Sequence, residues 1–311
     1  MSAVLSVRKR GHLTTVQDLG RPHAMSAGVP AGGAMDRFAH RAANLLVGND
    51  ESAATLECTL GGPDLVATRA CLVAVTGADF DPRLNGRPAP AWTGLFLREG
   101  DELGFAGRRW GARAYIAVAG GIAGDRWLGS LSTSLLAERG GMHGRPLRAG
   151  DVIEVTGHSS TPAISGRQLG RHSWPDYTGH TLYAIAGPHL KRLPPDGRKA
   201  LFGSPFNVSR DADRMGYRLE GPALDASGEE LLSFGLVAGA VQVPRSGQPI
   251  LLMADHGTAG GYPVVATVAG AAMPVAAQLL PGDELTFEEV SVEAALRMRA
   301  AQREALDSLI S

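Results

Sequence analysis

Short apolar runs, separated by turns that contain glycine or proline, recur along the whole chain. Six of these runs are rich in β-branched residues and too short for helices, so they predict strands. They are residues 71–76, 114–119, 152–156, 181–186, 249–253 and 263–268. Their spacing is typical of barrels or sandwiches and not of alternating β and α units.

Few segments have helical periodicity. Residues 34–47 place six apolar side chains on one face, and Gly48 follows as a stop signal. Ser291 is the predicted N-cap of a helix over residues 292–309. A short helical turn is predicted around residues 274–280.

Three segments share a Gly-Asp turn followed by a strand, namely 97–103, 147–153 and 280–285. Further echoes relate residues 57–65 to 218–224 and residues 29–33 to 243–247. Together they predict two similar β-rich halves, joined near residues 159–176. The predicted fold is therefore mainly β with a few short helices. Its expected domains are an N-terminal β-rich domain, 1–165, and a C-terminal β-barrel domain, 166–311.

Composition narrows the class of protein. The chain has 311 residues, 44% of them hydrophobic and 20% charged, and its net charge is −1. That balance gives no electrostatic reason to expect binding to nucleic acid or to an anionic membrane. No apolar run is long enough for a membrane helix. Cys58 and Cys71 cannot form a disulfide framework, so we expect a cytoplasmic protein in which both are small buried hydrophobes.

The densest cluster of charge lies in residues 207–222. Within nine positions it contains Arg210, Asp211, Asp213, Arg214 and Arg218. Two turn-rich loops follow, 242–249 and 255–263, and they carry Gln242, Gln248, Asp255 and Tyr262. Dense charge beside loops whose backbone can approach a ligand is typical of a polar small-molecule pocket. An ion-pair network that joins two strands fits the same residues, and the sequence leaves both interpretations open.

Self-sufficient catalytic motifs are missing from the sequence. It has no Gly-x-Ser-x-Gly elbow, no P-loop and no Cys-x-x-Cys. The histidines are scattered singly, so no metal site is expected. His256 fits a turn histidine better than a general base. Gln17 and Asp18 lie in a turn where a structural role is favoured over a place in a polar site.

Several short motifs, taken together and in order, resemble one known family. They are Thr-Val-Gln-Asp-Leu-Gly-Arg at 15–21, Gly-Ala-Met-Asp at 33–36, Ala-Asn-Leu-Leu-Val-Gly-Asn at 43–49, Gly-Gly-Ile at 120–122, Leu-Gly-Ser-Leu-Ser-Thr at 128–133, Asp-Arg-Met-Gly-Tyr-Arg-Leu at 213–219, Gln-Val-Pro at 242–244, Gly-Gln-Pro at 247–249 and Gly-Gly-Tyr-Pro at 260–263. The resemblance is to the biotin-dependent carboxyltransferase A/B-domain family, also called allophanate hydrolase subunit 2 or KipA-like. It runs from about residue 5 to residue 293.

The resemblance implies two cyclophilin-like β-barrel-type halves and a smaller KipI-like partner, which corresponds to allophanate hydrolase subunit 1 or to the B subunit of 5-oxoprolinase. In urea carboxylase relatives, the segment that matches residues 213–216 lines the substrate site. On this basis the expected catalytic residues are Asp213, Arg214 and Asp255. The expected substrate-binding residues are Arg218, Gln242, Gln248 and Tyr262. Asp213 stands where some relatives carry Asn.

Three functions follow as hypotheses. The first is a subunit of an ATP-dependent 5-oxoprolinase that converts 5-oxoproline to glutamate, together with the KipI-like partner and a lactam-utilisation protein as the A subunit. The second is a carboxyltransferase that moves a carboxyl group from carboxybiotin to a urea-like amide. The third is a regulator that binds a KipI-like partner without turnover. No cofactor is expected to be bound covalently, and biotin is not expected on this chain because neither Lys191 nor Lys199 lies in a Met-Lys-Met hairpin.

Overall fold

The computed structural model of the chain describes residues 1–157 and 162–310, which divide into two units. The first unit combines Met1–Arg21, Gly32–Trp174 and the chain from Glu304 onward, and the second combines Pro22–Ala31 with Pro175–Arg303. The break after Trp174 lies within the predicted junction, of which residues 159–161 are outside the described residues. The domains 1–165 and 166–311 stay a prediction.

The described part of the first unit contains two sheets. Its strands are β1 (Ser2–Lys9), β2 (Leu13–Gln17), β3 (Thr55–Thr59), β4 (Asp64–Ala67), β5 (Cys71–Asp79), β6 (Pro82–Leu84), β7 (Arg87–Pro88), β8 (Gly94–Leu97), β9 (Glu102–Phe105), β10 (Trp110–Val118) and β11 (Val152–Val155). One sheet has the order β11-β1-β4-β9-β6-β7 and the other β2-β3-β10-β5-β8. Buried apolar residues from both sheets form one hydrophobic cluster, which includes Leu5, Leu65, Val73 and Ile116.

Helix α1 (Arg37–Leu46) packs its apolar face into the first unit, as predicted. It begins later than residue 34 because Asp36 is its N-cap, whose Oδ1 accepts the N–H of Ala39 at 2.9 Å. The Tyr115 hydroxyl accepts the N–H of Asp36 at 2.7 Å and donates to Glu57 at 2.8 Å. The polar groups at this buried helix end are thereby satisfied.

The second unit contains a closed barrel. The strands of the second unit are β12 (Thr181–Ala186), β13 (Pro205–Val208), β14 (Gly216–Glu220), β15 (Phe234–Gly235), β16 (Ala240–Gln242), β17 (Ile250–Leu252), β18 (Ala259–Gly260), β19 (Val264–Val268) and β20 (Glu284–Glu289). The barrel order is β12-β19-β16-β17-β14-β13-β20, and parallel pairing of β12 with β20 closes it. Strands β15 and β18 form a separate two-stranded ribbon. The mainly-β prediction is confirmed, and all six predicted strands are present.

Large buried side chains such as Phe206, Tyr217 and Phe287 form part of the core of the second unit. The remaining helices are α2 (Pro195–Gly203), α3 (Met273–Ala276) and α4 (Val292–Asp307). The predicted cap of α4 is present, since Ser291 Oγ accepts the N–H of Ala294 at 3.2 Å. Helix α2 was not predicted. None of the helices in residues 1–157 and 162–310 has the length and apolarity that crossing a membrane requires.

The predicted Gly-Asp echo corresponds to one repeated turn geometry. In each copy the aspartate side chain accepts the N–H of the residue three positions earlier: Asp101 from Arg98, Asp151 from Arg148 and Asp283 from Leu280, at 2.7–2.8 Å. Each turn leads directly into a strand, namely β9, β11 and β20. The three similar segments thus share a local turn, in which the aspartate carboxylate accepts a hydrogen bond from a nearby backbone N–H.

A buried carboxylate fixes the long connection between β10 and β11. Asp18 accepts hydrogen bonds from the hydroxyls of Ser130 and Ser132, both at 2.6 Å, and from the N–H groups of Leu131 at 2.6 Å and Gly20 at 2.8 Å. Burial would raise the pKa of Asp18, but these hydrogen bonds outweigh it and hold the pKa below its ordinary value. The structural role expected for this turn is consistent with the geometry.

Replacing Asp18 by Asn should lower the free energy of unfolding by about 3 kcal/mol at neutral pH, because buried donors lose a charged acceptor. The folded pKa is depressed, so the contribution is complete above the unfolded value of about 4 and is lost as the pH falls through the folded pKa. Urea unfolding at several pH values should show the deficit of Asp18→Asn shrinking below about pH 4. Exposed Glu99→Gln is the matched control, with a change within about 0.5 kcal/mol. A deficit that is equally large at all pH values would contradict this account.

Candidate functional site

The charge-rich segment forms the hairpin between β13 and β14. Asn207 pairs with Glu220 and Val208 with Leu219. Asp213 is a turn-forming residue there: its Oδ1 accepts the N–H groups of Met215 at 2.7 Å and Gly216 at 3.1 Å. The Asp213 carboxylate is exposed and its position is fixed by its own turn.

Arg214 and Asp255, two of the predicted catalytic residues, meet in a bidentate salt bridge. Arg214 Nε donates to Asp255 Oδ2 at 2.8 Å, and Nη2 donates to Oδ1 at 3.0 Å. The side chains are 13% and 25% exposed. The backbone supports the pair, because the N–H of Asp255 donates to the carbonyl of Arg214 at 2.8 Å. Partial burial and two-point geometry make this pair stronger than an ordinary surface salt bridge.

The predicted substrate-binding residues occupy three different settings. Arg218 is exposed on β14. The side-chain amide of Gln248 bonds both backbone groups of Gly221, at 3.0 and 3.2 Å, and so ties the end of β14 to a neighbouring turn. Gln242 is 5% exposed on β16, and its Nε2 has no hydrogen-bond partner within residues 1–157 and 162–310. A buried donor without a partner is costly in a structural role, so Gln242 stands out from the other two.

Parts of the two turn-rich loops line a groove in the second unit. Residues 243–247 and 261–263 form part of its wall, and its volume is about 750 Å³. Tyr262 lines the groove with 49% of its surface exposed. The other predicted site residues do not line it. The structure therefore separates the Arg214–Asp255 pair from the groove, although the loop 255–263 carries a residue of each.

A further lining segment of the groove was missed by sequence reasoning. It consists of residues 223–231 and Ser233, and Arg192 also lines the groove. Arg192 Nη2 donates to the carbonyl of Glu229 at 2.8 Å, which fixes this irregular segment. The one signal in the sequence was the run Asp-Ala-Ser-Gly-Glu-Glu at 225–230, which reads as an ordinary polar loop.

Other side chains that could react with a substrate or bind a metal have structural roles instead. His256 is 2% exposed, and its Nδ1 lies 2.7 Å from the carbonyl of Gly257. Burial raises the pKa of Cys58 and of Cys71 to about 12, so neither thiol is a nucleophile at neutral pH. Both cysteines are buried, as predicted. Among the described residues no cluster of three or more His, Cys, Asp or Glu could hold a metal ion.

Comparisons with family descriptions, protein sequences and solved structures all indicate the same family. The family described as carboxyltransferase domain, subdomain A and B, matches residues 27–289. The C subunit of 5-oxoprolinase from Escherichia coli K12 is 38% identical over 98% of this chain and 97% of its own length. The crystal structure of Kluyveromyces lactis urea amidolyase superposes with a TM-score of 0.92 at 27% identity, over 99% of this chain and 20% of that one. The crystal structure of TTHA0988 superposes with a TM-score of 0.81 at 34% identity, over 93% of this chain and 55% of that one.

The salt bridge can be measured as a coupling energy. In a double-mutant cycle with Arg214→Met and Asp255→Asn, we expect a coupling of about 1–2 kcal/mol in urea unfolding, because both partners are partly buried and doubly hydrogen-bonded. The exposed pair Arg198 and Glu289, which lie 2.8 Å apart, is the control and should couple by less than about 1 kcal/mol. Equal couplings for the two pairs would show that the geometry at Arg214 adds no stability.

Proposed function

The chain belongs to the family of carboxyltransferase domains with subdomains A and B, and from that membership we propose that it is a subunit of a 5-oxoprolinase complex. Such a complex hydrolyses the cyclic amide 5-oxo-L-proline to L-glutamate. The observation that carries the proposal is the 38% identity to a 5-oxoprolinase C subunit over nearly the full length of both chains. A role in a hydrolytic enzyme complex follows from the same relative.

The finer parts of the proposal concern partners and cofactors. The chain would act in the cytoplasm with a KipI-like partner and a lactam-utilisation protein, and the complex would consume ATP. The chain alone would be inactive, with no cofactor attached to it. Two observations support dependence on partners: the described residues contain no cluster of three or more His, Cys, Asp or Glu that could hold a metal ion, and the Cys58 and Cys71 thiols are protonated at neutral pH.

Within this proposal the residues near Arg214 bind and orient a lactam. Arg214 would attract the substrate carboxylate, with Asp255 holding the guanidinium in place by the bidentate salt bridge. Asp213 would take a proton from the water that adds to the lactam carbonyl and pass it to the ring nitrogen as the C–N bond breaks. Its exposed carboxylate is already positioned by its turn. Gln242, with its unpartnered Nε2, would contact the substrate directly, and Tyr262 belongs to the groove instead. Arg218 and Gln248 would complete the binding surface.

The second candidate is carboxyl transfer from carboxybiotin to a urea-like amide. The superposition on urea amidolyase, with a TM-score of 0.92, favours it. It requires separate biotin carboxylase and biotin carrier chains. The two candidates differ in one observable, since avidin would block carboxyl transfer and leave 5-oxoproline hydrolysis unchanged.

The direct test is reconstitution with the KipI-like and lactam-utilisation proteins. We expect release of glutamate that depends on ATP, on 5-oxoproline and on all subunits. Arg214→Ala should lower kcat/KM by about 100-fold or more, because a charged contact to the reacting ligand is lost. The control is Arg299→Ala, which removes an exposed arginine from α4 and should leave kcat/KM unchanged.

Two results would contradict the proposal. Absence of glutamate release from the wild-type complex, together with avidin-sensitive carboxylation of urea, would establish the second candidate. Turnover that survives the loss of Arg214 in a folded complex would remove this arginine from the site. Stable binding of the KipI-like partner without any turnover would indicate the regulator.

A further inference from the structure

The groove in the second unit is larger than a small lactam needs. Its volume of about 750 Å³ lies in the upper part of the range for ligands the size of a drug molecule. A small cyclic amide would fill only a fraction of it and would leave most of the wall in water. The groove therefore has room for an occupant larger than a lactam.

Exposed apolar side chains occur in the segments that line the groove and next to them in sequence. Leu232 is 91% exposed and stands between two lining residues, Leu231 and Ser233. Tyr262, which lines the groove, is 49% exposed, and Val237, just beyond β15, is 56% exposed. Large apolar side chains grouped at a polar-rimmed groove are typical of protein interaction sites. A leucine that is almost fully in water gains most from burial by a partner.

The charges at the groove favour a basic partner. Asp225, Glu229 and Glu230 lie along one wall and are exposed. Of the two arginines that line the groove, Arg192 is hydrogen-bonded to the carbonyl of Glu229, and Arg245 is exposed in the turn of residues 243–247. The wall of residues 225–230 thus presents acidic side chains, which complementary basic groups on a partner would neutralise.

In relatives of known structure the matching domain is part of a longer chain. The chain spans only 55% of the TTHA0988 chain and 20% of the urea amidolyase chain, so in both relatives the matching domain is joined to further polypeptide. This favours a protein occupant over a second small molecule.

We propose that the groove bounded by residues 223–233, 243–247 and 261–263 is the docking surface for the KipI-like partner, which presents an apolar side chain flanked by basic ones. The inference rests on the proposed function, because it requires that partners exist. The loop 255–263 carries Asp255 at one end and Tyr262 at the other. A protein seated in the groove would therefore contact the same loop that holds Arg214, and the substrate site would be shared.

The test compares two leucines that are similarly exposed. Leu232→Glu introduces a like charge into the acidic, apolar surface and should weaken association with the KipI-like partner by about tenfold or more. Leu136→Glu is the matched control, because Leu136 is 87% exposed at the tip of a turn in the first unit. Binding would be measured by calorimetry with the full-length chains, and thermal unfolding would show that both variants stay folded.

A charge-reversal variant tests whether the partner surface is basic. Glu230→Lys should weaken association and reduce its dependence on salt, since a basic partner would meet a like charge. Glu99→Lys, which makes the same change at an exposed turn of the first unit, should have no effect. Tighter binding by Glu230→Lys would show that the partner surface is acidic and would overturn the charge assignment.

The outcomes separate this inference from the proposed function. If the wild-type chain does not bind the KipI-like partner, its role as a subunit is itself contradicted. If the wild-type complex forms and Leu232→Glu binds as well as Leu136→Glu, the docking surface is wrong while the role in the complex stands. If Leu232→Glu leaves association unchanged but raises the KM for 5-oxoproline, the groove is a substrate site and the proposal is overturned.

Discussion

Parallel pairing of β12 with β20 closes the barrel of the second unit, and the candidate site depends on that closure. A closed barrel has no edge strands, so each strand is held on both sides and the loops extend from a fixed frame. The hairpin that carries Arg214 and the loop that carries Asp255 leave the neighbouring strands β14 and β17. The frame therefore brings the two ends of the salt bridge together across 41 positions of sequence.

The second unit contains polar side chains whose positions are fixed by hydrogen bonds and a groove whose side chains are exposed. Asp213, Gln248 and His256 bond nearby backbone groups, and Arg214 is held by Asp255. The groove has the opposite character, with exposed apolar and acidic side chains on an irregular segment. A site that a second protein completes needs fixed polar groups, which orient the substrate, and an exposed surface, which binds the partner. The second unit has both.

Local signals explain what the sequence could predict. The six strands and the Gly-Asp turns follow from short-range patterns, and both were found. Helix α1 begins later than predicted because the cap at Asp36 uses Tyr115 and Glu57, which are distant in sequence. Helix α2 was missed because it begins at the second of two consecutive prolines, contains Gly197 and buries little apolar surface. The Arg214–Asp255 pair and the groove wall 223–233 depend on barrel topology, which no local pattern encodes.

The central claim is that another protein of the complex completes the site of this chain at the groove. Hydrogen–deuterium exchange of the chain, alone and with the KipI-like partner, tests it directly. The account predicts slower exchange on binding in residues 223–233 and 261–263, with unchanged exchange at residues 134–139 of the first unit. Slower exchange at residues 134–139 with none at the groove would contradict it.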